Sequence, residues 1–148
     1  MKKFRKLITL LMLVLSMTTV FFPTGALAAS KTYKGTGSQT YTITTKKKDS
    51  TLTITRKKGK VRYRLTTWSK YKNGSCHGTF TITIVGGGKT QKVHLGNWQD
   101  DAKVTLKKNS TYTVTITCTG FDLMPGRDFT WKTAPQCKLK VNNSAKIK

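Results

Sequence analysis

Glutamate is absent from this sequence, and five aspartates are its only carboxylate side chains in 148 residues. Two histidines, three cysteines and three prolines are nearly as scarce. Most acid/base pairs and metal cages therefore lack the residues they need. No G-x-S-x-G, H-E-x-x-H or paired-carboxylate motif is present, and Gly35-Thr36-Gly37 precedes a strand rather than the helix a phosphate loop requires. Cys76 and His77 are neighbours, but adjacent strand residues point to opposite faces, so they do not make a nucleophile and its base. Asp100-Asp101 beside Asn97 reads as a solvated turn rather than a calcium site. The expectation is a protein that is not an enzyme, with no catalytic residues, no cofactor, no metal and no dedicated small-molecule substrate. The chain is also too short for more than one modest core after loss of a leader, which excludes a multidomain enzyme.

What the sequence has in excess is positive charge. Its 28 Lys and Arg give a formal charge of +23. Lys2, Lys3, Arg5 and Lys6 stand before the apolar stretch Leu7 to Phe22, and Ala26-Leu27-Ala28 places small residues where a signal peptidase reads them. Residues 1–28 are thus expected to be a signal peptide, with Ala29 as the alternative cleavage position, and residues 29–148 a single exported domain. Without the four leader cations, 24 remain against five aspartates, a formal +19. Such a chain is attracted to polyanions, although the lysines also keep a Thr-rich sheet soluble and its edges unpaired.

Apolar and polar residues alternate with period two along most of the mature chain, and no window carries a helical stripe. Tyr41/Ile43, Leu52/Ile54, Val61/Tyr63/Leu65, Phe80/Ile82/Ile84, Val93/Leu95, Val104/Leu106, Tyr112 to Cys118, Phe129/Trp131 and Leu139/Val141 mark about nine strands. Turn signals separate them at Lys58-Gly59, Asn73-Gly74, Gly86 to Gly88, Gly96-Asn97, Lys108-Asn109, Pro125-Gly126 and Ala134-Pro135. This predicts an all-β fold: a single antiparallel two-sheet sandwich, jelly-roll or immunoglobulin-like, with mobile polar ends at residues 29–38 and 142–148.

The segment Leu106-Lys107-Lys108-Asn109-Ser110-Thr111-Tyr112-Thr113-Val114-Thr115-Ile116 resembles the penultimate strand of bacterial secreted jelly rolls, including pre-peptidase C-terminal domains and carbohydrate-binding modules. In those families a strand ending in Leu, a polar turn and a T-Y-x-V-x-I strand recur. The turn glycine they favour is replaced here by Asn109-Ser110, and their acidic calcium-binding stretches are not evident. The resemblance implies a jelly-roll fold and does not specify a ligand.

Three cysteines in an exported chain imply one disulfide and one thiol left over, or one intermolecular bridge. Cys118, Cys137 and Cys76 all fall in apolar phase; Cys118 with Cys137 closes the shortest loop, and Cys76 with Cys118 is the rival pairing. Residues 51–66 read as a hairpin whose outer face carries Lys57, Lys60, Arg62 and Arg64, with Arg56 and Lys58 at its tip. Paired arginines grip phosphate or sulfate with forked donors, so these four residues are the candidate polyanion site. Trp68, Tyr71 and Trp98 fall out of apolar phase, as candidates either to stack on sugar or to plug the ends of the sandwich. The loop Phe121 to Arg127 would present apolar residues to a membrane or protein partner, or cap the core. The functional expectation is a secreted cationic protein that binds an anionic polymer or envelope surface, such as teichoic acid or an acidic glycan. The alternative is an antimicrobial or toxin-like effector acting on anionic membranes.

Overall fold

Alternation in the sequence becomes alternation of burial. Along Ser50–Lys57 the side chains of Leu52 and Ile54 are fully buried while Thr51, Thr53 and Thr55 are half-exposed, and along Gly78–Gly86 Phe80, Ile82 and Ile84 do the same between threonines. The structure, a computed structural model, describes residues 28–122 and 127–148. Apart from Ala28, the expected signal peptide lies outside the described residues, as does the turn expected at Pro125-Gly126. Within the described residues there is no helix, and twelve strands are formed: β1 (Ala29–Lys34), β2 (Ser38–Thr44), β3 (Ser50–Lys57), β4 (Gly59–Leu65), β5 (Lys72–Cys76), β6 (Gly78–Gly86), β7 (Lys89–Leu95), β8 (Asp101–Leu106), β9 (Thr111–Phe121), β10 (Arg127–Thr133), β11 (Gln136–Val141) and β12 (Lys146–Ile147).

These strands make three antiparallel sheets rather than two. The first has the order β1-β11-β3-β8, the second β12-β2-β9-β6-β7, and a small third sheet β10-β4-β5. The two larger sheets share one core, with Tyr33, Leu52, Ile54, Val104, Leu106, Cys137, Leu139 and Val141 from the first and Ile43, Phe80, Ile82, Ile84, Leu95, Tyr112, Val114 and Ile116 from the second. Each such Leu, Ile or Phe contributes on the order of 1.5–3 kcal/mol by leaving water. If the small sheet is set aside, the chain passes from one large sheet to the other at every step except the β6–β7 hairpin. That hairpin turns on Gly87 (φ 59°) and Gly88 (φ 76°), where the left-handed backbone favours residues without a Cβ.

All nine expected strands are present, and three more were hidden by their polarity. The ends are not mobile tails. Residues 29–34 pair with β11 and bury Tyr33, which donates to the Gly37 carbonyl at 2.6 Å. The C-terminal residues 146–147 pair with β2, burying Ala145 and Ile147. The expected turn at Asn73-Gly74 lies inside β5, where Gly74 leaves room for the Tyr63 ring.

The expected 51–66 hairpin does not form. β3 pairs with β11 and β8, whereas β4 pairs with β10 and β5, so at Lys58 the chain leaves the first large sheet for the small one. Gly59 is needed for close approach rather than for a turn: a Cβ there would collide with the Thr133 carbonyl, the Trp131 ring and the Ala134 backbone.

Candidate functional site

Two short excursions from the large sheets build the small sheet. One runs from β3 through β4 and β5 to β6, with Lys58 and His77 as its single-residue joints, and the other carries β9 into β10 and on to β11. Pairing fixes its faces. One face carries Val61, Tyr63, Phe129 and Trp131; Val61 is buried, and Phe121 at the end of β9 packs edge-on against Phe129 and Trp131, with ring centroids 5.7 and 5.1 Å away. Phe121 is therefore tied into an aromatic cluster and half-buried. Leu123 to Gly126 of the same loop lie outside the described residues.

The opposite face is cationic. Lys60, Arg62 and Arg64 occupy alternate positions of β4, about 7 Å apart given the rise of an antiparallel strand. Lys132 of β10 joins them, with its Nζ 2.8 Å from Asn73 Oδ1 on β5. Tyr71 holds the row in place: the guanidinium carbons of Arg62 and Arg64 lie 4.7 and 4.8 Å from its ring centroid. Arg64 also donates to Asp128 across the strand pair at 3.1 Å. Three of the four candidate cations thus share one face. Lys57 ends β3 in the first large sheet and does not belong to the row.

Cations also occupy two of the three candidate stacking rings. Tyr71 is engaged by both arginines, and Lys72 Nζ lies 4.3 Å from the Trp68 ring centroid, with Trp68 half-buried. Trp98 differs, being 99% exposed. It therefore does not plug the sandwich. It occupies the third position of a tight turn in which Gln99 N–H donates to the Gly96 carbonyl at 3.0 Å, and its φ of 81° follows 47° at Asn97. Such a turn favours Asn-Gly, so an indole there is held against the backbone preference.

Trp98 stands at the rim of an open cleft of about 710 Å³ where the small sheet meets the large ones. Arg56 forms its floor. The residue continues the inward phase of Leu52 and Ile54, and its side chain is 2% exposed rather than at a hairpin tip. Its Nε donates to Asp100 at 2.7 Å, and its Nη1 donates to Asp122 at 2.6 Å and to the Gly78 carbonyl at 3.3 Å. Thr79 donates to the other Asp122 oxygen at 3.3 Å. Asp100 is thus paired with Arg56 through Oδ1, and no cluster of metal-binding groups is found among the described residues.

His77 sits over this network, its Nδ1 3.7 Å from Asp100 and 4.0 Å from Asp122. Burial, and next the charge of Arg56, push its pKa below 6.5; Lys58 adds to this, and the two carboxylates oppose it. The unfolded chain therefore binds a proton that the fold resists. Stability supplied by neutral His77 is complete above pH 6.5 and is lost as pH falls toward the lowered value. Urea midpoints measured from pH 7.5 to 5 should decline, and His77→Gln should flatten that decline; superimposable profiles would contradict the assignment.

The expected disulfide is not formed, and Cys76, Cys118 and Cys137 are all free. Each lies on a different sheet. Cys118 is on β9 and Cys137 on β11, in the two opposite sheets of the shared core. Cys137 is fully buried, and desolvation, aided by Cys118, pushes its thiol up to about 12. Cys76 and Cys118 instead donate to the carbonyls of His77 and Gly120. Compared with known proteins, this chain matches no protein-family model and no curated protein sequence.

Proposed function

We propose that this protein is exported and acts by binding, holding an anionic polymer of the cell envelope, such as a teichoic acid or acidic glycan, on the cationic face of its small sheet. The observation that carries the reading is the row Lys60, Arg62 and Arg64, joined by Lys132 and clamped by Tyr71. Ion pairs formed on an open sheet face are individually weak, so affinity comes from several acting on one chain of anions. Clamped guanidinium forks lose less freedom on binding than free lysines do. The crossing pattern of the large sheets, alternating at every step but one, supports a double Greek-key jelly roll over an immunoglobulin-like sandwich, with the small sheet as an insertion that carries the site.

In the membrane-effector alternative the Phe121 to Pro125 loop would insert, and the contacts of Phe121 with Phe129 and Trp131 favour the polymer-binding reading over it. A direct test compares two double variants of equal charge change on lipoteichoic acid and on heparin. Arg62→Gln/Arg64→Gln should weaken binding by about 0.5–2 kcal/mol, counting one exposed ion pair of up to about 1 kcal/mol for each. Lys146→Gln/Lys148→Gln, at exposed positions of the C-terminal end, should have much less effect. Equal losses in two folded variants would mean that binding is diffuse.

A further inference from the structure

The cleft beside Trp98 differs in electrostatics from the rest of this cationic surface. Two of the five aspartates line it, and they balance Arg56 and Lys58 with His77 held toward its neutral form. A polyanion gains nothing from such a site, because its own charges would face Asp100 and Asp122. A wholly apolar ligand fits no better, since about half of the lining surface is polar and charged side chains stand in it.

Trp98 supplies the second observation. Its ring contributes nothing to the core, and it keeps a backbone conformation that glycine would adopt without strain. An exposed aromatic carried on such a turn, beside preset hydrogen-bonding groups, offers a flat apolar platform with polar groups next to it. The ligand class with matching chemistry is an uncharged pyranose: its C–H face stacks on indole while its ring-edge hydroxyls donate to carboxylates and accept from amides. We propose that this cleft is a neutral-saccharide site in which a sugar ring stacks on Trp98 and donates hydroxyls to Asp100 and Asp122. Arg56 fixes both carboxylates from below, so little freedom remains to be lost on binding. Asn97, in the same turn, supplies an amide at the rim.

The proposal does not depend on the polyanion reading, because the two sites use different residues and different forces. Its test titrates chitohexaose, cellohexaose, mannohexaose and maltohexaose into the full mature protein at 500 mM salt, followed by calorimetry and tryptophan fluorescence. At least one should bind, with an affinity changed less than twofold between 50 and 500 mM salt. Trp98→Gly should weaken that binding at least tenfold while circular dichroism shows an intact fold, since Gly suits the turn. Trp98→Tyr should retain binding within a few-fold, and Arg62→Gln/Arg64→Gln should bind the sugar like the parent protein. Failure of all four sugars to bind at millimolar concentration would overturn the proposal. So would unchanged binding in Trp98→Gly, or sugar binding lost with the arginine pair.

Discussion

Replacing Asp100 and Asp122 together with Ala should destabilise the fold by about 3–5 kcal/mol, because it leaves the Arg56 guanidinium inside the protein without a counter-charge. Only the Gly78 carbonyl would remain of its three acceptors. The lower end of that range is expected, since the Asp100 side chain is 59% exposed and water entering the cleft can solvate part of the cation. Arg56→Met should cost less, about 1–2 kcal/mol, because the abandoned carboxylates can turn to water and the aliphatic stem is retained. The asymmetry follows from burial: the cation is enclosed and its partners are not. Adding Arg56→Met to the double Ala variant should therefore recover stability, as it removes the charge that the double change stranded. Urea unfolding of the four proteins decides the matter. A double variant no less stable than Arg56→Met would show that the guanidinium is solvated in the fold.

Arg56 also shows where the sequence was legible and where it was misread. Strand existence was read from period-two alternation, and it succeeded wherever at least two apolar residues fell in phase, as in Leu52/Ile54 or Leu139/Val141. It failed at β1, β5 and β12, where one residue carries most of the burial: Tyr33, Cys76 and Ile147. Arg56 stands in phase with Leu52 and Ile54, so its inward direction was available; the apparent turn at Lys58-Gly59 overrode it. That glycine serves a close contact with the β10–β11 link, a long-range feature no local pattern encodes. Membership of the cationic row was legible only on β4. Lys132 has the right phase beside Trp131, yet only the pairing of β10 with β4 and of β4 with β5 brings it to Asn73, the cross-strand partner of Arg62. At Trp98 the signal was a departure from rule, an Asn-Trp pair where the turn asks for Asn-Gly.

Salt should then separate a localised cationic site from the general attraction of residues 29–148, which carry 24 Lys and Arg against five aspartates. Lys60, Arg62, Arg64 and Lys132 offer four contacts on one face, and we take for each neutralised phosphate the release of about 0.7 of a condensed counterion that holds for a single-stranded nucleic acid. The logarithm of affinity should therefore fall with a slope near −2.8 against the logarithm of salt concentration, a loss of roughly 600-fold between 50 and 500 mM. Arg62→Gln/Arg64→Gln removes two of the four contacts, so its slope should flatten to about −1.4 as well as starting from a weaker affinity. Diffuse binding makes a different demand: the arginine pair would be only two of the domain's 24 cations, and its slope should match that of Lys146→Gln/Lys148→Gln. Affinities for lipoteichoic acid at five salt concentrations give all three slopes. Parallel lines for the two double variants would remove the small sheet from its assigned role, whatever their absolute affinities.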